Sequence, residues 1–215
     1  MTPDLGVSAV PAGRSSRLAI VCVLAWLAAG ASSPLLGVWL AIGGAAIALG
    51  VAVLVFDWTA SRDGLRPTAR AVLLGLAAGA VMSVLTYLVY PPAARAVPFI
   101  AADTSFLYAA FRVPPPLVAS LMLAPVILGE ELVWRGVVQG ALVRRFGPAR
   151  GIAFAATLYG LSVAPLGSPV LVAVAFACGA VWGTLRHTST SLVPPLLAHL
   201  LWDLLVLLWL PLDLR

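Results

Sequence analysis

Seven apolar segments, most of them close to the length that crosses a bilayer, constrain this chain most strongly. They fall at 18–32, 35–56, 71–90, 116–142, 149–164, 169–186 and 191–211. A transmembrane helix needs about 20 predominantly apolar residues. Only 10% of the residues are charged and 62% are hydrophobic, against about 25% and about 45–50% in soluble domains. The sequence therefore predicts an all-α, polytopic transmembrane helix bundle of about seven spans, with residues 1–215 forming a single integral membrane domain.

The positions of the arginines predict the orientation of this bundle. All 13 basic residues are arginines, and cytoplasmic loops of membrane proteins carry an excess of basic residues. With a cytoplasmic N-terminus, the inner segments hold Arg14, Arg17, Arg62, Arg66, Arg70, Arg144, Arg145, Arg150 and Arg186. The outer segments then hold Arg95, Arg112 and Arg215, and Arg135 lies within a span. This bias predicts a cytoplasmic N-terminus. The long connection over 91–115 is then outside, and its apolar and aromatic residues predict an interfacial or half-buried helix.

Composition also bears on where the protein is located and what it binds. The chain lacks Lys and Asn and is rich in Ala, Leu, Val and Gly, which favours a GC-rich bacterial genome and the bacterial inner membrane. The net charge of +5 needs no nucleic-acid partner, because topology accounts for the arginines. Arg14 and Arg17, followed by an apolar run and Ala29-Gly30-Ala31, also fit a cleaved signal peptide, although six further spans favour a retained first helix.

Three ionisable residues interrupt the fourth apolar segment, in the stretch "LGEELVWRG". A charge near the bilayer centre costs about 2.5–3.5 kcal/mol on insertion scales, so these groups need partners or a chemical role. Glu131 and Arg135 are four residues apart and can pair on one helix face. Glu130 is rotated by about 100° from Glu131 and has no base one turn later. It is therefore the candidate general base; the alternative is a glutamate that only ties helices together.

A second polar pair lies in the last segment, in "PPLLAHLLWDLL". His199 and Asp203 are four residues apart and share one helix face, where the carboxylate can orient the imidazole or itself bind a reacting group. A hydrogen bond that serves only helix packing is the alternative. We take Glu130, His199 and Asp203 as candidate catalytic residues and Glu131 and Arg135 as supporting ones.

These two motifs resemble those of a known protease family. Glu130-Glu131-Leu-Val-Trp-Arg135 resembles an EExxxR motif and His199-x-x-x-Asp203 an HxxxN or HxxxD motif, both of the CPBP family. That family comprises the CAAX-type prenyl endopeptidases and bacterial relatives, which are glutamate-dependent intramembrane proteases. The motifs fall in the segments predicted over 116–211. The resemblance implies that the first glutamate activates water and that the last-helix pair binds the oxyanion.

One position departs from the family pattern. The family carries an FxxxH motif between the other two, and the matching residues here are Tyr159 to Val163 in "YGLSV". Tyr159 takes the aromatic position and Val163 stands where the family has histidine. Apart from His199, the chain's one other histidine is His187, which is predicted at a solvated helix end.

Three functions remain open from the sequence. The first is an intramembrane endopeptidase that cleaves a membrane-embedded peptide or protein, such as a C-terminal sorting helix of the kind cut by the myxosortase relatives. The second is a catalytically inactive relative that serves as a membrane scaffold or immunity-type binding protein, which Val163 favours. The third is a small proton-coupled transporter. The first needs no metal and no other cofactor, because one histidine with scattered carboxylates does not make a three-ligand zinc site. The lipid bilayer is the partner common to all three, and the oligomeric state is open.

Overall fold

The computed structural model describes residues 12–112 and 114–214, and within them it is a bundle of helices. Among these described residues, six helices are long and apolar enough to cross a membrane, and a shorter apolar helix spans Val193–Trp209. The predicted all-α, polytopic bundle of about seven spans is therefore confirmed. The predicted orientation depends partly on residues before Ala12, which lie outside the described residues, and it stays a prediction.

The elements follow one another with short connections. The α-helices within the described ranges are α1 (Ala12–Leu36), α2 (Gly44–Phe56), α3 (Trp58–Gly64), α4 (Ala69–Ala96), α5 (Pro98–Phe111), α6 (Pro116–Glu131), α7 (Gln139–Phe146), α8 (Pro148–Ser162), α9 (Pro169–Ser189) and α10 (Val193–Trp202). π-Helical segments span Trp39–Gly43, Leu132–Val138 and Asp203–Trp209, and 3-10 turns span Ala164–Leu166 and Leu212–Leu214.

Local sequence signals account for where several helices begin. The hydroxyls of Thr68 and Ser168 accept hydrogen bonds from backbone N–H groups in the first turns of α4 and α9, at 3.1 and 3.0 Å, as N-cap residues do. Proline stands in the first turn of α5, α6, α8 and α9, where its missing N–H costs nothing. Gly147 adopts φ = 81° between α7 and α8, which glycine adopts without steric cost and which reverses the chain into a helical hairpin.

Close backbone contacts align the helices that carry the polar motifs. α10 packs along α4, and α6 packs along α2. A Cβ at Gly75 would lie 2.8 Å from the Pro194 carbonyl oxygen, and one at Gly50 would lie 2.6 Å from the Cα of Gly129. Small residues allow such approach between membrane helices. Because Gly129 directly precedes Glu130, the α2–α6 contact also sets the position of the glutamate.

The predicted helix in the connection over 91–115 is confirmed as α5. Asp103 ties it to the start of α9, since its carboxylate accepts from the Ser168 hydroxyl at 2.6 Å and from the Val170 N–H at 3.0 Å. The Tyr108 hydroxyl donates to the Val206 carbonyl and accepts from the Leu212 N–H. Burial raises the pKa of Tyr108 to about 12, so the hydroxyl stays a donor. α5 is thereby fixed against the end of the last helix.

Two of the spans widen from α to π geometry beside the polar motifs. One π-helical segment covers Leu132–Val138, directly after Glu131, and another begins at Asp203. α6 continues through Pro125 and leaves α geometry seven residues later. π-Helical turns are rare and occur frequently at functional sites. Both helices are therefore irregular where their charged residues face the interior.

The α2–α6 contact predicts opposite effects of alanine at two glycines. A Cβ at Gly129 would overlap the carbonyl of Ala46, whereas one at Gly44 would meet no atom within 4 Å. Gly129→Ala should destabilise the protein by about 1–3 kcal/mol, the usual cost of overpacking. Gly44→Ala should leave stability unchanged or raise it by up to about 1 kcal/mol through helix propensity. Thermal melting of both purified variants in detergent checks this, and equal melting temperatures would contradict the proposed α2–α6 contact.

Candidate active site

A cavity of about 540 Å³ lies among the transmembrane helices and α5. Its walls are mostly apolar side chains from α4, α5, α6 and α9. Glu130, Tyr159, His199 and Asp203 line the same cavity, so the structure brings the three predicted catalytic residues to one surface. Apolar clefts with a few convergent polar groups are the usual form of a binding site.

Glu130 reaches the cavity from the last turn of α6. The residue is 9% exposed, and its Oε2 accepts a hydrogen bond from the Tyr159 hydroxyl at 2.9 Å. Within the described residues it forms no ion pair. Glu130 is therefore a buried carboxyl held by a neutral donor, with no cation of its own, as its offset from Arg135 predicted.

Glu131 lies deeper and joins two helices. Its Oε1 is 3.2 Å from an Nη of Arg135 and 2.8 Å from Nδ1 of His199. The pairing with Arg135 predicted from the four-residue spacing is confirmed. The contact with His199 was not predicted, because no local pattern relates positions 68 residues apart. Glu131 thus supports both the arginine on its own helix and the imidazole on α10.

The imidazole of His199 is fixed from three sides. Nδ1 of the imidazole is hydrogen-bonded to Oε1 of Glu131, and Nε2 lies 3.7 Å from Oδ2 of Asp203. The ring of Trp182 stacks on the imidazole with centroids 3.7 Å apart and planes at 21°. Asp203 was predicted to orient His199, but Glu131 is the closer partner, so Asp203 contributes a more distant carboxylate on the cavity side.

Arg135 is buried beneath these groups, with 3% of its surface exposed. Its guanidinium carbon lies 4.4 Å from the ring centroid of Tyr159 and 5.0 Å from that of Trp182. Such cation–π contacts contribute more when the cation is desolvated. The arginine therefore packs against two aromatic side chains, of which Tyr159 also contacts Glu130 and Trp182 also contacts His199.

Val163 follows the end of α8, one turn after Tyr159, and lines the same cavity. The position that carries the second-motif histidine in the family is thus at the site, and here it presents two methyl groups. The polar contact to Glu130 comes instead from Tyr159. The sequence motif assigns Tyr159 only the aromatic position, and the hydroxyl that distinguishes it from the phenylalanine of the motif was the available signal.

The remaining candidates contribute little to this surface. His187 is exposed at the end of α9, as predicted. Among the described residues, no group of three or more His, Cys, Asp and Glu side chains is placed to hold a metal ion. The arrangement offers a base, two nearby hydrogen-bonding side chains and an apolar chamber, which suits proton transfer and oxyanion binding.

Comparison with known proteins agrees with the motifs. No curated protein and no solved structure matches the chain. Residues 106–205 match the family model described as type II CAAX prenyl endopeptidase Rce1-like. That range holds every polar residue of the site and the end of α5. The match supports a function of the CAAX intramembrane protease kind, in a multi-pass membrane protein, and the similarity to the Rce1-like family extends over residues 106–205.

Proposed function

We propose that this protein is an intramembrane endopeptidase in which Glu130 activates the attacking water. The observation that carries the proposal is the state of Glu130: a buried carboxyl without a cation, at the wall of an apolar cavity that His199 and Asp203 also line. A carboxyl kept in lipid only for packing would gain from a charged partner. Glu130 has none among the described residues, whereas its neighbour Glu131 has two.

The reaction follows from these positions. Glu130 takes a proton from water as the water oxygen bonds to the carbonyl carbon of the scissile peptide. The carbonyl π electrons move to oxygen and form the oxyanion. When the C–N bond breaks, the leaving nitrogen receives the proton from Glu130, and the carboxylate is regenerated. General base catalysis of this kind contributes about 10²–10⁴-fold in rate.

In this proposal His199 serves the oxyanion, and Asp203 helps to orient its imidazole. In the same proposal His199 is protonated: Nδ1, 2.8 Å from Oε1 of Glu131, donates to that carboxylate, and Nε2, 3.7 Å from Oδ2 of Asp203, donates to the oxyanion. A positioned donor to the oxyanion contributes about 10²–10³-fold. Glu131 and Arg135 do not touch the reacting atoms, and they hold the imidazole and the aromatic floor of the site.

The substrate class follows from the shape and lining of the cavity. Its apolar walls, its place among membrane helices and its volume fit an apolar peptide segment that enters from the bilayer. We propose a membrane-anchored peptide or a C-terminal sorting helix as the substrate, and a bacterial inner membrane as the location. The proposed mechanism uses no metal and no other cofactor.

Replacing Glu130 tests the proposal directly. Glu130→Gln keeps the shape and the contact with Tyr159 but removes the base, so peptide cleavage should fall by about 10²–10⁴-fold. Asp63→Asn is the matched carboxyl-to-amide control, because Asp63 is exposed and its ion pair among the described residues is with the exposed Arg66. Terminal proteomics of membranes that contain wild type or each variant measures processing. Wild-type processing by Glu130→Gln would overturn the assignment of the base.

The supporting role of Arg135 gives a second test, on stability. Arg135→Ala leaves Glu131 buried without its cation, and breaking a buried pair in this way costs about 3–5 kcal/mol. Arg66→Ala removes an exposed partner of Asp63 and should change stability little. Thermal melting in detergent compares them. A melting temperature of Arg135→Ala equal to that of Arg66→Ala would show that the buried pair does not support the site.

A catalytically inactive relative is the second candidate, and Val163 favours it, since this valine lines the cavity where the family has histidine. Val163→His distinguishes the two candidates. If the wild type shows no Glu130-dependent cleavage and Val163→His gains it, the chain is an inactive relative. Glu130-dependent cleavage by the wild type contradicts that candidate.

A further inference from the structure

We propose that the hydroxyl of Tyr159 is a catalytic group that holds the attacking water together with Glu130, in place of a histidine at position 163. This inference rests on the proposed peptidase function and adds a residue to its mechanism. It starts from the hydrogen bond between Tyr159 and Glu130 Oε2, at 2.9 Å. Both residues line the cavity, so the hydroxyl and the carboxylate face the same space.

The bonding capacity of the hydroxyl supports the inference. A phenolic oxygen that donates to Glu130 retains lone pairs that can accept a hydrogen bond. A water placed between the two residues can donate one hydrogen to the tyrosine oxygen and the other to the carboxylate. Water held in this way is oriented with its lone pair toward an incoming carbonyl carbon. If Glu130 were the only group bound to the water, the orientation of the water relative to the carbonyl carbon would not be fixed.

The position of the ring is fixed independently of the hydroxyl. The guanidinium carbon of Arg135 lies 4.4 Å from the centroid of the Tyr159 ring. The Trp134 ring packs edge-on against the same ring, with centroids 5.3 Å apart. Tyr159 is 7% exposed. These contacts involve the ring and not the oxygen, so a phenylalanine would satisfy them equally well. The hydroxyl is therefore left with one described side-chain contact, and that contact is the proposed base.

Val163 explains why the hydroxyl is needed here. It stands one turn after Tyr159 and supplies only methyl groups to the cavity. Without the tyrosine oxygen, Glu130 would have no described side-chain hydrogen-bond donor. A histidine at 163 would bring a ring nitrogen to the same cavity. The Tyr159 hydroxyl and a histidine nitrogen at position 163 would thus both serve as the polar partner of Glu130. Loss of either group should therefore lower the cleavage rate less when the other is present.

A double-mutant cycle tests this exchange. The variants are Tyr159→Phe, Val163→His and the two combined, with Glu130→Gln as the inactive reference. Tyr87→Phe is the matched control, since it also loses a tyrosine hydrogen bond, to the Leu210 carbonyl at 3.1 Å, away from the cavity. Proteoliposomes of each variant are given a set of internally quenched peptides that contain apolar membrane helices, and initial rates and melting temperatures are measured.

We expect Tyr159→Phe to lower the cleavage rate about 10- to 100-fold, as for loss of a hydrogen bond to a charged group, with Tyr87→Phe near wild type. In the Val163→His background, Tyr159→Phe should lower the cleavage rate by a several-fold smaller factor than it does in the wild type. A Tyr159→Phe rate equal to that of Tyr87→Phe overturns the role of the hydroxyl, and an equal loss in both backgrounds overturns its exchange with a histidine at position 163. Either result leaves the peptidase proposal standing. If no cleavage depends on Glu130, the peptidase proposal fails and the inference fails with it.

Discussion

The site depends on the contact in which Glu131 holds both Arg135 and His199, at 3.2 and 2.8 Å. Glu131 is 1% exposed, and a buried carboxylate is tolerated only when paired and hydrogen-bonded. Because one partner is on its own helix and the other on α10, the contact joins the two polar motifs. Buried ion pairs often add little net stability, but breaking one costs much. The contact therefore specifies one register of α6 against α10.

That register determines which of the two adjacent glutamates has no charged partner among the described residues. With Glu131 occupied by two partners, Glu130 is the acid of the pair that faces the cavity, and its described side-chain partner is the neutral Tyr159. Trp182 stacks on His199 and also lies beneath Arg135. One aromatic layer thus supports the cation and the imidazole together. This packing separates the paired groups, Glu131 and Arg135, from the Glu130 carboxyl at the cavity wall.

The local part of this arrangement could be predicted from the sequence. Apolar length predicted the spans, and the four-residue spacing predicted the pair of Glu131 with Arg135, because one helix determines both positions. The contact of Glu131 with His199 could not be predicted in this way, since it depends on how α6 and α10 pack. Gly50 and Gly129 place α6 against α2, and Gly75 places α10 against α4; the partners of these glycines appear only in three dimensions. Glycine is frequent in this chain, so sequence alone does not reveal which ones matter.

The departure at Val163 has a different meaning once the cavity is known. From the sequence, a missing histidine favours an inactive protein, because the motif is read position by position. In the structure, Tyr159 supplies a polar group 2.9 Å from Oε2 of Glu130, one turn earlier than position 163. A valine at 163 then keeps that part of the cavity wall apolar. Under the proposed function an apolar peptide segment would lie against this wall, and a polar group placed beside the Glu130 carboxyl would leave the wall apolar while keeping the contact to the proposed base.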